Sequence, residues 1–188
     1  MRHLTVARPA IAAALSASAL LLVACGSDNG ASTQLTPTES LEVSPTTNNP
    51  APETREVAPK EVPRSEFREP VVDEGLNVEY HFQGTTLGDY GGTVVSVAVT
   101  NLNDVPLPPQ ELATPTLRYN AGGGDMEEAS TLQVEVPAGS PPVQVPLDLP
   151  LGAGATTNLH FTYDVSRGNL WDAEFRIGNV IFAGDLII

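Results

Sequence analysis

Hydrophobic and polar positions divide this chain of 188 residues into three regimes. Residues 9–24 are a run of 16 residues rich in Ala and Leu, broken only by Ser16 and Ser18. That is shorter than the roughly 20 apolar residues a helix needs to cross a hydrocarbon core. Residues 26–70 then hold seven prolines and eleven Ser or Thr with few large apolar side chains. From Val71 onward, apolar and polar positions alternate with period two, the signature of half-buried strands.

Within that third regime, Leu76, Val78, Tyr80 and Phe82 alternate with Asn77, Glu79 and His81. Thr93–Asn101 carries Val95, Val97 and Val99 on one face and Val94, Ser96 and Ala98 on the other, so it is expected to be central. Strands are also expected at Thr131–Val136 and at Val143–Leu149, the latter at an edge because of Pro146. Asn158–Val165 turns Leu159, Phe161, Tyr163 and Val165 inward. Trp171, Ala173, Phe175 and Ile177 continue the pattern, followed by Val180–Phe182 and Leu186–Ile188. Gly- and Pro-containing turns separate these segments, and no amphipathic helix of useful length appears. Seven or eight short strands in about 118 residues predict an all-β fold, an antiparallel two-sheet sandwich.

The N-terminal regime reads as an export signal, with Arg2 and Arg8 before the apolar run. It ends in Leu22-Val23-Ala24-Cys25, which resembles the lipobox of bacterial lipoproteins. The resemblance implies a signal peptide over 1–24, removal of that peptide, and acyl chains such as palmitate on Cys25. Two acyl chains suffice for stable anchoring, where one gives only marginal binding. The alternative is an ordinary signal peptide with an incidental Cys. The second regime, 25–70, cannot bury enough surface to offset its ordering entropy and is expected to be a disordered tether. As a flexible coil it spans on the order of 40 Å. A short helix at Ser65–Glu69 packed on the domain is the rival reading of its last part.

The domain over 71–188 carries a second resemblance. Val97-Ala98-Val99-Thr100-Asn101-Leu102-Asn103-Asp104-Val105-Pro106-Leu107 looks like the strand, Asn, polar turn, Pro pattern of bacterial extracellular immunoglobulin-like domains. It most resembles small secreted immunoglobulin-like proteins of actinobacteria. An immunoglobulin-like sandwich is what this implies, without the paired Cys of antibody domains, because Cys25 is the only cysteine. The fold is therefore expected to rest on core packing alone.

Charge narrows the function. All 23 acids and seven of the nine basic residues lie beyond Cys25, and Lys60 is the only lysine. Such a surface repels phosphate backbones, which argues against nucleic acid. His81 and His160 face outward on their strands; with Glu79 or Asp164 they would make a metal site only if the strands were neighbours, and no metal or other cofactor is expected. Gly122-Gly123-Gly124-Asp125-Met126-Glu127-Glu128 lacks the alternate acids of a calcium loop and reads as an acidic hairpin turn. No nucleophile elbow and no distinguishable catalytic set is present, so no enzyme is expected.

Two aromatic residues remain as binding candidates. Tyr90 lies in the Gly88–Gly92 loop, and Trp171 follows Arg167-Gly168-Asn169. Either side chain can stack on a sugar or a partner surface, although Trp171 sits where a core residue is expected. The sequence thus points to an extracytoplasmic lipoprotein, held at the cell membrane through Cys25. Its domain would bind an envelope protein or a wall or lipid component without catalysis. An accessory structural subunit of a membrane complex and a carrier of a small ligand or metal are the alternatives.

Overall fold

The computed structural model describes residues 50–188, so the expected export signal, Cys25 and the first part of the expected tether lie outside the described residues. Nine strands form in chain order: β1 (Lys60–Pro63), β2 (Val71–Asp73), β3 (Val78–Leu87), β4 (Thr93–Asn101), β5 (Thr116–Asn120), β6 (Met126–Glu128), β7 (Thr156–Tyr163), β8 (Ala173–Ile177) and β9 (Val180–Gly184). They make a five-stranded sheet, β1-β9-β8-β5-β6, and a four-stranded sheet, β2-β3-β4-β7, packed as a sandwich. All neighbours are antiparallel except β1 and β9, which run parallel. Placing β4 and β7 in one sheet and β5, β8 and β9 in the other follows the strand partition of the immunoglobulin sandwich. No helix among the described residues is long and apolar enough to cross a membrane.

The alternation read from the sequence makes the core. Val78, Tyr80 and Phe82 of β3, Val95, Val97 and Val99 of β4, and Leu159, Phe161 and Tyr163 of β7 are all buried. Opposite them stand Leu117, Phe175, Ile177, Val180 and Phe182. Phe82 stacks on Phe182 with ring centroids 5.1 Å apart, and Phe67 closes on Phe82 at the same distance. Offset and tilted pairs at this spacing add to what burial alone contributes. β4 is central, between β3 and β7.

The folded part begins earlier than Val71. Residues 60–70, which composition assigns to the tether, supply β1, a single 3-10 turn at Arg64–Glu66, and the buried Phe67. Only Val62 and Phe67 of this stretch point inward, too few to break its charged, Pro-spaced appearance. Lys60 N–H donates to the Asn179 carbonyl at 2.8 Å, and Arg64 pairs with Asp185.

Two expected strands do not form. Between Ala129 and Leu151 the chain follows the outer edge of β7 with only isolated pairings, Thr131 to Tyr163 and Val145 to His160. Pro137, Pro141, Pro142 and Pro146 remove the N–H groups a ladder needs. Leu186–Ile188 also stays outside the ladder, although the Leu186 N–H donates to the Leu170 carbonyl.

Asparagine and aspartate side chains tie together one end of the sandwich. The Asn101 Nδ2 donates to the carbonyls of Val105 and Leu151, both at 2.9 Å, and of Gly152 at 3.1 Å. Its Oδ1 accepts from the Asn103 N–H and Nδ2. The Asn of the strand-Asn-turn-Pro pattern is therefore the buried bolt between two loops. Nearby, the buried Asp73 carboxylate accepts from the N–H groups of Gly75 and Leu76 and from both the N–H and Nδ2 of Asn179. That links β2 of one sheet to the β8–β9 turn of the other.

Candidate functional site

The strand directions give the sandwich two distinct ends. Residues 53–60 arrive at the end held by Asn101 and Asp73: the Arg55 N–H donates to the Gly75 carbonyl at 2.8 Å, and Lys60 joins Asn179. The Leu87–Gly92 loop, the Ala121–Asp125 turn and the 3-10 turn at Arg167–Trp171 lie at the opposite end. Their placement follows from register, since Thr93 faces Tyr163 across β4–β7 and Tyr119 faces Ala173 across β5–β8. Hydrogen bonds close this far end. The Thr93 hydroxyl donates to the Val165 carbonyl at 2.7 Å, the Asn120 N–H to Asp172, and the Arg167 Nε to the Thr85 carbonyl at 2.9 Å.

Trp171 belongs to this end, and it is not a core residue. Its side chain is 57% exposed, and its neighbour Leu170 is fully buried instead. The 3-10 turn before β8 shifts the inward position back by one residue, so the strand alternation does not extend to 171. Leu87, at the end of β3, is 75% exposed. Single exposed apolar residues are ordinary, and Val72 and Leu102 are exposed at the anchored end too, but only the far end exposes a tryptophan, a side chain enriched among interface anchors.

Tyr90 takes a different place. It is half-buried, with its hydroxyl 3.4 Å from the Pro141 carbonyl, and it walls a cleft of about 230 Å³. The other walls are Val94 of β4, His160 and Thr162 of β7, and Leu132, Pro141, Pro142, Val143 and Val145 of the segment along the β7 edge. Gly88 and Asp89 close the loop side. The segment is held there because Val145 and His160 exchange both backbone hydrogen bonds and the Thr162 hydroxyl donates to the Val143 carbonyl at 2.6 Å. His160 Nδ1 lies 2.9 Å from the Ser96 hydroxyl, which fixes the ring against β4. The structure thus brings Tyr90 and His160 to one cleft and leaves Trp171 outside it.

His81 and His160 are not partners. They face β4 from opposite sides, at Ala98 and at Ser96, and two strand spacings of about 4.8 Å each separate their backbones. Among the described residues no group of three His, Cys, Asp or Glu is arranged to hold a metal ion. The acidic Gly-rich stretch is a hairpin: Asn120 Oδ1 accepts the N–H groups of Gly122 and Gly124, and Met126–Glu128 returns as β6.

A wider hollow of about 600 Å³ lies at the other end, between residues 50–55 and Leu102–Val105, and brings no aromatic side chain with it. Sequence reasoning missed Leu87 as an exposed residue and missed that Tyr90 and His160 share walls. The only signal for the second was the β4–β7 register, which is a tertiary fact. No family model, no curated protein and no solved structure matches this chain.

Proposed function

We propose that the protein is an extracytoplasmic lipoprotein, anchored to the cell membrane through Cys25, whose immunoglobulin-like domain is a non-catalytic binding module. The anchor rests on Arg2, Arg8, the 16-residue apolar run and Leu22-Val23-Ala24-Cys25. One observation carries the binding role. The chain reaches the domain at the end bolted by Asn101 and Asp73, and Trp171 and Leu87 are exposed at the other end. A domain tethered at its first end presents its second end outward, where a Trp and a Leu are available to a partner in the envelope. The likeness of Val97–Leu107 to secreted actinobacterial domains agrees with such a setting.

The test has two arms in intact bacterial cells. Metabolic labelling with an alkyne fatty acid marks the full chain and is lost in Cys25→Ser. Crosslinking followed by purification enriches a defined envelope protein, and Trp171→Ala reduces that yield at unchanged expression. Recovery with integral membrane proteins in fixed ratio moves the reading to an accessory subunit. Equal labelling of Cys25→Ser and wild type contradicts the anchor.

A further inference from the structure

The cleft beside Tyr90 has a chemistry of its own. Its volume of about 230 Å³ is the share of roughly eight liquid water molecules, which suits a side chain or a small fragment more than a drug-sized ligand. Val94, Leu132, Val143, Val145, Pro141 and Pro142 make its body apolar. Tyr90 offers a ring, and Asp89 is the one acid in the wall. The sign of the field comes from the whole sheet. Between Arg68 and Arg118, and again between Arg118 and Arg167, the chain has no lysine or arginine. Strands β2, β3, β4 and β7 and the entire segment along the β7 edge fall in those intervals. Arg167 reaches that sheet at Thr85 of β3, but no lysine or arginine lines the cleft itself, so an anionic ligand would meet no permanent positive charge in its walls.

We infer that this cleft binds an organic ammonium group on a short apolar stem. The stem is desolvated against the prolines and valines, while the cation lies near the Asp89 carboxylate and the Tyr90 ring, where charge and ring quadrupole both favour it. A free small amine and the lysine side chain of a partner share this chemistry. The inference deepens the binding reading above and rests on it, and it concerns a surface separate from Trp171.

The experiment titrates the isotopically labelled full-length chain with n-butylammonium and, separately, with butyrate at equal ionic strength, followed by amide NMR shifts. Saturable shifts confined to Gly88–Tyr90, Leu132, His160 and Thr162 are expected with n-butylammonium and not with butyrate. Asp89→Asn weakens that binding about fivefold, the scale of one exposed charge contact. Tyr90→Leu weakens it while Asp89 is retained. Nα-acetyl-lysine amide separates the sources: saturable binding of it as well points to a partner's lysine, and binding of n-butylammonium alone points to a free amine. Absence of saturable shifts with both amines, or equal shifts with butyrate, overturns the inference. Because Trp171 does not line the cleft, Asp89→Asn and Tyr90→Leu remove the ammonium site while leaving the Trp171 side chain in place, so the two failures are distinguishable.

Discussion

The side-chain amide of Gln144 pairs with the backbone of Thr162 as a neighbouring strand would. Gln144 Oε1 accepts the Thr162 N–H at 2.9 Å, and its Nε2 donates to the Thr162 carbonyl at 2.8 Å. The same Nε2 also lies 3.3 Å from the Leu132 carbonyl. A segment with prolines at 141, 142 and 146 cannot supply a continuous ladder, and one glutamine fills the gap in it. The edge of β7 is thereby closed to pairing with other chains, a protection that exposed edges require.

Gln144→Leu removes both hydrogen bonds and leaves the buried Thr162 N–H unsatisfied, while the Thr162 carbonyl keeps the Leu132 N–H at 2.8 Å. A loss of about 1–3 kcal/mol is expected, read as a lower urea midpoint at unchanged slope. The opened edge should also raise self-association in sedimentation. An unchanged midpoint would show that the segment does not hold this edge.

Asn101 should be harder to replace than its small size suggests. Asn101→Ala removes five hydrogen bonds between the loops and leaves the Val105 carbonyl and the Asn103 N–H without these partners, although the Leu151 and Gly152 carbonyls keep the N–H groups of Leu107 and Ala155; a loss of about 3 kcal/mol is expected. Asn101→Asp should do no better at neutral pH, since a carboxylate would then face the carbonyls of Val105, Leu151 and Gly152. Acidification should restore part of its stability by protonating that carboxyl. A midpoint for Asn101→Asp equal to wild type at pH 7 would contradict the bolt.

Two glycines distinguish strain from crowding. Gly178 and Gly154 both have positive φ, 56° and 67°. A methyl at Gly178 would stand 2.5 Å from the Asp73 Oδ2 and 2.6 Å from the Tyr80 hydroxyl, whereas one at Gly154 meets nothing within 4 Å. Gly154→Ala should cost about 1 kcal/mol from the backbone alone, and Gly178→Ala clearly more. Equal midpoints for the two variants would remove the Asp73–Asn179 contact from the account.

Tyr80 and Tyr163 set the alkaline limit of the fold. Burial holds both phenols well above their ordinary value, with the Asp73 charge adding at Tyr80 and the Glu128 charge at Tyr163. A folded-state pKa above the unfolded one contributes stability that is fully present below about pH 10 and is lost as pH rises beyond it. Stability should fall by up to about 2.7 kcal/mol per pH unit above 10 from these two groups together. Tyr80→Phe should be neutral or stabilising, because its hydroxyl has no hydrogen-bond partner. Tyr163→Phe should cost about 1 kcal/mol, because it loses a 2.9 Å bond to the Pro115 carbonyl. Urea midpoints between pH 8 and 11 check the slope, and a flat profile would contradict it.

Where period two was unbroken, as in Val78–Phe82, Val95–Val99 and Leu159–Tyr163, the sequence reading and the buried faces agree. Short strands were hidden. Thr116–Asn120 turns only Leu117 and Tyr119 inward, and Val71–Asp73 buries a carboxylate where the pattern asks for an apolar side chain. The Val134 and Val136 alternation misled, because both side chains are exposed on a proline-broken segment. For the site, Tyr90 and His160 were each visible as exposed polar or aromatic positions. Their meeting depends on the β4–β7 register and on a coil lying along β7, neither of which leaves a local signal.

The most direct test of the binding account compares the two ends of the domain. A photo-crosslinking amino acid is placed at position 171 or 87 at the far end, and at exposed Asp104 beside the arriving chain, each in the full-length protein in intact cells. The account predicts a discrete crosslinked envelope partner from 171 and 87 and none from 104. A partner captured from 104 and not from 171 or 87 would contradict it.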